Sequence, residues 1–472
     1  MRTPRPLLAR SLLAVLVAVP ACSGGVHGTP GAAGLRDPYF GKMGNGGYDV
    51  THYALDLAYD PGTHHLTGRA DITATAGQDL SAFDLDLKGL TVDEVTVDGQ
   101  PAVGSRAGQE LKVRPHDELS EGSTFRTTVR YSGEPVTITD PDGSHEGWLR
   151  TADGALGLGE PTGSMAWFPG NHHPSDKATY DITVTVPKGV QAVSNGELRS
   201  ERPSGDGRRT TFSWRVAQPM ASYLATVAIG KFETKRSTTP SGLPVYTAVD
   251  TAAGPAAAKA SAKVLARLPE VIDWETETFG TYPFSSTGAI IDREGDAEYA
   301  LETQNRPVFP GAPDLTTLVH ELAHQWYGDS VTPESWRDMW LNEGFATYAE
   351  WLWAEEHGGA TAQEAFDAVC ERPRGDGVWA FPPAVPPTAA QISDAPVYQR
   401  GAMVLHKVRR VIGDAKFRAL LQSWAADHKH GNADTDDFTA YVEKKNPGRA
   451  EALAGVWKVW LYGDGKPGRG SL

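Results

Sequence analysis

The sequence predicts an α+β protein in two parts, an N-terminal antiparallel β-sheet domain followed by a mainly helical one. Three observations carry this. The hydrophobic period is two from Tyr48 to about Lys235 and turns helical after a 237–242 segment that contains Pro240. The chain has 472 residues, and one hydrophobic core rarely serves more than ~250–300. Its 40% hydrophobic and 22% charged content is that of an ordinary globular protein, so both parts can bury a core.

The first element is not part of the fold. Arg2, Arg5 and Arg10 precede an apolar run over 12–19 that is too short to cross a bilayer, and Pro20-Ala21 leads to Cys22, which reads as a secretory signal over 1–21. Val-Pro-Ala-Cys also resembles a bacterial lipobox, which implies a lipid on Cys22 after cleavage. Residues 22–47, rich in Gly, Ser, Ala and Pro, read as a flexible tether. The expectation is an exported protein held at the membrane through Cys22. With Cys370 as the other cysteine there is no disulfide framework, and Cys370 is expected to be a small buried hydrophobe at a helix end. No later apolar run reaches the length of a membrane span.

The β domain is expected over 48–236. Tyr53, Leu55 and Leu57 alternate with polar residues, as do Phe83, Leu85 and Leu87, then Val95 and Val97 before an Asp98-Gly99 turn, and Ile182, Val184 and Val186. The second domain, 237–472, opens with a helix over 256–279 whose apolar stripe holds Val264, Leu265, Leu268, Val271 and Ile272. Asp314 is the expected N-cap of a helix running to about Tyr327, with Gly328 just past its end. A further helix over 342–357 stops at Gly358-Gly359, and 371–397 is a Pro/Gly-rich loop. Helices follow at 398–412, 414–428, 436–445 and 449–460.

A formal net charge of -15 argues against nucleic-acid binding, which needs a basic surface, and suits a cationic partner such as the ammonium end of a peptide. The chemistry lies in His320-Glu321-Leu322-Ala323-His324. On a helix, residues four apart share a face, so both imidazoles can reach one ion while Glu321 sits beside it. The pentapeptide occurs by chance elsewhere, so its context decides. Glu343, 19 residues after His324 at the start of the next helix, supplies a third ligand and leaves a fourth position for water, the pattern of a catalytic zinc site holding one ion. Asn171-His172-His173 has no third ligand and is read as surface or packing histidines.

At these residues the chain resembles the aminopeptidase N-like family of zinc metallopeptidases, which includes the leukotriene hydrolases. The resemblance lies in His320-Glu-Leu-Ala-His-Gln-Trp-Tyr-Gly-Asp and Trp340-Leu-Asn-Glu-Gly-Phe-Ala. It implies a saddle-like β domain before a thermolysin-like catalytic domain. Tyr299-Ala-Leu-Glu-Thr-Gln resembles the family's Gly-Ala-Met-Glu-Asn strand, so Glu302 is implied to bind the substrate's N-terminus; Tyr299 replaces Gly and Thr303 replaces Asn. Glu160 falls where the family carries a Gln or Glu that contacts the same amine, and Tyr398 matches the tyrosine that stabilises the oxyanion.

The resemblance implies a monomeric aminopeptidase acting on peptides with a free N-terminus, with Glu321 as general base. A thermolysin-type endopeptidase or a non-catalytic zinc-binding exported protein are the alternatives. An epoxide hydrolase side activity is disfavoured, because the leukotriene hydrolases carry a further helical domain with basic residues. Larger members of the family also have domains after the catalytic one. The sequence stops at Leu472, so a more open site that admits longer peptides is expected.

Overall fold

A computed structural model describes residues 27–468 and has the expected order, a β domain and then a helical one. The signal segment and Cys22 lie outside the described residues. The largest sheet has eight strands, in the order Glu197–Pro203, Arg209–Ala221, Lys177–Pro187, Tyr48–Asp60, His65–Ala76, Thr124–Gly133, Thr91–Val97 and Gln100–Pro101. Its pairs are antiparallel except Lys177–Pro187 with Tyr48–Asp60, which run parallel. Alternation along Lys177–Pro187 is strict, with Tyr180, Ile182, Val184 and Val186 buried. A second, five-stranded sheet, Thr137–Thr139, His145–Arg150, Ala155–Leu158, Val227–Gly230 and Gln191–Ser194, delivers Glu160 at the end of its third strand.

Two expectations along this stretch are corrected. The described part of the tether, 27–47, is packed. Thr29–Pro30 pairs with Leu80–Asp86. The Asp37 carboxylate accepts the backbone N–H of Phe40 at 2.9 Å and of Trp336, in the helical part, at 3.0 Å. The Tyr39 hydroxyl donates to the Pro386 carbonyl at 2.6 Å. Composition signals a flexible chain, but a few anchoring side chains between glycines suffice to order it, and their partners lie hundreds of residues away. The 237–242 segment is not a linker between domains. It is the tip of a hairpin between Phe232–Thr238 and Pro244–Asp250, which continues through Thr287–Ile291 to Val308–Phe309 as the sheet of the second domain. The change of domain therefore falls near Gly230.

In the helical part, the expected helix over 256–279 is two, α1 (Gly254–Leu265) and α2 (Leu268–Phe279). Pro269 lacks an N–H and its ring would meet the carbonyl of Leu265, so one continuous helix is excluded. Helix α3 (Leu315–Ala323) is capped by Asp314, which accepts from the Thr317 N–H at 2.8 Å. It is shorter than expected, and His324 is its C-cap. α4 (Trp340–Glu356) packs on α3, and α5 (Ala362–Glu371), unforeseen apart from its end at Cys370, starts with a Thr361/Glu364 capping box. Cys370 is buried there, as expected. A turn of π-helix, Pro396–Arg400, runs into α6 (Gly401–Ile412), followed by α7 (Asp414–Asp427), α8 (Thr435–Lys445) and α9 (Ala450–Val456). Among the described residues no helix is long and apolar enough to cross a membrane.

α4 and α6 touch at two glycines. A Cβ built on Gly344 would lie 3.0 Å from the Gly401 backbone, and one on Gly401 would lie 3.0 Å from the Gly344 Cα, so a side chain at either position would push the two backbones apart by a few tenths of an ångström.

The domains share one continuous cluster of buried apolar side chains. Polar bonds also cross the boundary. Arg306, 1% exposed, lies against both the Trp214 and Tyr246 rings and donates to the carbonyls of Tyr246 at 3.2 Å and Gly196 at 2.9 Å. The Asn195 amide donates to the Gln304 carbonyl at 2.9 Å. The segment that carries Glu302 is thus tied to both domains.

Candidate active site

Five of the seven residues singled out above come from the helical domain's own elements around α3. His320 lies in the last turn of α3 and His324 caps it, with ring centroids 4.7 Å apart. Glu343, in the first turn of α4, presents Oε2 at 3.1 Å from His320 Nε2 and 3.5 Å from His324 Nε2. The outer ring nitrogens are committed elsewhere. His320 Nδ1 meets Glu350 Oε1 at 2.7 Å and His324 Nδ1 meets the Tyr327 carbonyl at 3.0 Å, which turns both Nε2 atoms inward. Two imidazoles and one carboxylate, with ligand atoms all within 4.8 Å of one another, fit a single zinc ion with an open fourth position. Burial would push the Glu343 carboxyl up, but the charges of His324 and His320 and their hydrogen bonds outweigh it and hold it at about 2, so this candidate ligand is anionic.

Glu321 is 6% exposed, and its carboxylate, that of Glu302 and a ring nitrogen of His324 fall within 4.8 Å of one another. Burial pushes its carboxyl up to about 7 against the pull of the two histidines. Tyr398, in the π-turn, stacks on His320 with centroids 6.0 Å apart and planes at 14°. The π-turn is held by Arg400, fully buried, which donates to the carbonyls of Trp460 and Phe381, each at 3.1 Å.

Glu302 and Glu160 approach from two sides. Leu301 makes a single bridge to Val308 rather than part of a long strand, and the chain turns at Asn305, φ 69°. Asn342 Nδ2 donates to Glu302 Oε1 at 3.0 Å and Gln325 Nε2 to the Glu302 carbonyl at 3.1 Å, so residues flanking both ligand motifs fix this acid. Glu160 is 9% exposed and its Oε2 has no hydrogen-bond partner. The turn after it is pinned by buried Glu146, which accepts the N–H groups of Thr162 and Gly163. Glu160, Glu302 and Glu343 carboxylates lie within 4.8 Å of one another, and burial with the charges of Glu302 and Glu343 pushes the Glu160 carboxyl well above the usual range. These three and Tyr398 line a cleft of about 370 Å³ with no Lys, Arg or His among its described lining residues.

The sequence reading missed Glu350, Asn342, Glu146 and Phe40, the last reaching the cleft from the N-terminal segment. Glu350 was findable, because it lies two helical turns after Glu343 on the same face. Glu146 and Phe40 carry no such signal. His172 and His173 are packing residues, as expected. His172 Nε2 meets the Phe168 carbonyl at 3.0 Å, and both are buried.

Comparison with known proteins adds the following. Residues 313–460 match the peptidase family M1 domain and residues 49–224 the peptidase M1 N-terminal domain. A crystal structure of an M1 zinc metallopeptidase mutant from Deinococcus radiodurans, bound to a Tyr-Ser-Ala substrate, superimposes with a TM-score of 0.82 at 30% identity, covering 91% of this chain and 98% of that one. A two-domain M1 zinc metallopeptidase mutant bound to L-arginine gives 0.82 at 31% identity, covering 92% and 99%. Glutamyl aminopeptidase of Bos taurus is 26% identical over 451 residues, 86% of this chain and 46% of its own length. The chain spans about half the length of the curated relatives it matches.

Proposed function

Because this chain belongs to the M1 family of zinc metallopeptidases, we propose that it is an aminopeptidase that removes the first residue of peptides. The observation that carries this is the pair Glu160 and Glu302, two buried carboxylates without a basic partner, converging beside the ligand Glu343. Crowded, buried carboxyls resist ionising together, as the raised Glu160 carboxyl reflects, and the ammonium group of a peptide N-terminus would offset the charge of the pair. An endopeptidase has no use for a cation holder one residue from its ion, so this pair favours the exopeptidase over a thermolysin-type enzyme.

Zinc bound by His320, His324 and Glu343 supplies a Lewis acid that acidifies water and polarises the scissile carbonyl. Glu321 takes the proton from the attacking water and delivers it to the departing amine. The Tyr398 hydroxyl donates to the oxygen on which negative charge develops, an interaction whose loss typically costs about 10²–10³ in kcat. Glu160 and Glu302 hold the ammonium so that the first peptide bond is the one presented.

The test is a comparison of free and N-acetylated peptides. Free peptides should be shortened from the N-terminus and acetylated ones spared. Glu302→Ala should lower kcat/KM by about 10²-fold, mostly through KM, since it strands a desolvated ammonium. Rapid internal cleavage of an acetylated peptide would overturn the reading.

We propose also that the protein is exported as a monomer and anchored by a lipid on Cys22, on the strength of the 1–21 segment and the Val-Pro-Ala-Cys sequence. Mass spectrometry of the mature N-terminus checks this. A diacylglyceryl mass on Cys22 is expected, and an unmodified or uncleaved terminus counts against it.

A further inference from the structure

Beyond the two proposed ammonium holders, the cleft carries a second group of acidic side chains. Asp140 follows the strand Thr137–Thr139, in a turn closed by the Asp140 N–H donating to the Ser144 carbonyl at 2.9 Å. It is 8% exposed, it lines the same cleft as Glu160 and Glu302, and its Oδ1 has no hydrogen-bond partner. Asp142 and Glu298 stand on the same wall. Glu298 is bonded to His145 at 2.9 Å, and Asp142 accepts from Ser144, so both are occupied, whereas no Lys, Arg or His forms an ion pair with Asp140 among the described residues. Its carboxyl is hydrogen-bonded to that of buried Glu146, which also holds the Thr162 turn, and burial beside this second acid pushes Asp140 up to about 7, so the two share a proton and have no paired cation among the described residues.

Tyr299 stands between the two acidic regions. Its hydroxyl donates to the Glu160 carbonyl at 3.3 Å and its side chain lines the cleft. At this position the motif that the chain resembles has Gly, and Tyr299 supplies an aromatic ring instead. An aromatic face beside a buried carboxylate is a site for a desolvated cation.

We infer that the cleft selects peptides whose first residue is arginine or lysine, with Asp140 receiving the side-chain cation and Tyr299 flanking it. This rests on the aminopeptidase reading, because it assigns the space next to the ammonium to the first side chain. An acidic first residue meets only like charge there and is disfavoured. A neutral one leaves Asp140 sharing its proton with Glu146 and gains nothing there, whereas a cation favours the ionised carboxylate.

Rates on aminomethylcoumarin amides of Arg, Lys, Leu and Glu test it. The expected kcat/KM for Arg and Lys exceeds that for Leu by about tenfold or more, with Glu slowest. In Asp140→Asn the Arg-to-Leu ratio should fall by a similar factor. A wild-type preference for Leu or Glu overturns the inference, as does an unchanged ratio in a folded Asp140→Asn. The wild-type ratios decide the question even if that variant does not fold. Activity on Leu without preference for Arg sinks only this inference. No cleavage of any amide by zinc-loaded protein sinks the aminopeptidase reading and this one with it.

Discussion

Glu321→Gln is expected to leave a folded, zinc-loaded protein that turns over aminoacyl amides at least ~10³-fold more slowly, because a positioned general base contributes about 10²–10⁴. The substitution keeps the shape of a side chain that is 6% exposed and removes a charge that burial disfavours, so stability should not suffer. His320, His324 and Glu343 remain to hold the ion. Metal content by plasma mass spectrometry and kcat by coumarin release separate the two effects. A variant with full zinc and kcat within tenfold of wild type would show that another group takes the proton.

Gly328→Ala should damage the site from a residue that touches no substrate. Gly328 has φ 128°, which side chains rarely adopt. A Cβ there would lie 2.0 Å from Asn342 Oδ1 and 3.2 Å from His324 Nδ1. Asn342 holds Glu302, and His324 is a ligand, so relief of the clash moves the ammonium holder and the ion together. Strain at such a position costs about 1–3 kcal/mol before any clash. The expected result is a loss of about 3–5 kcal/mol in unfolding free energy together with sub-stoichiometric zinc. Unchanged melting with full zinc content would show that the backbone there relaxes freely.

The ligand trio was legible because its chemistry is local. The five residues 320–324 at the end of one helix and the first turn of the next determine it, and periodicity finds both helices. The ammonium holders were legible only through resemblance, since Glu160 and Glu302 are 142 positions apart and meet through the packing of two domains. The N-terminal segment was misread for the opposite reason. Its Gly and Ser content describes the average freedom of the chain, while its order depends on Asp37 and Tyr39 meeting partners at Trp336 and Pro386. The break at Pro269 was a local signal that the apolar stripe outweighed in the reading. The length of α3 was not readable, because the residues that follow it are fixed by bonds to the ion ligands rather than by helical propensity.

The crossing of Gly344 and Gly401 has a mechanical meaning. Glu343 precedes one glycine directly, and Tyr398 lies three residues before the other. With backbones in contact there is no side-chain layer between the two helices to compress or slide, so the spacing between ion ligand and phenol is set as by a welded joint. Any widening of the cleft for peptide entry falls to its other walls, the 140–144 turn and the 389–393 segment, which carry no ligand. The walls that would have to move for a peptide to enter are thus distinct from the two helices that carry Glu343 and follow Tyr398.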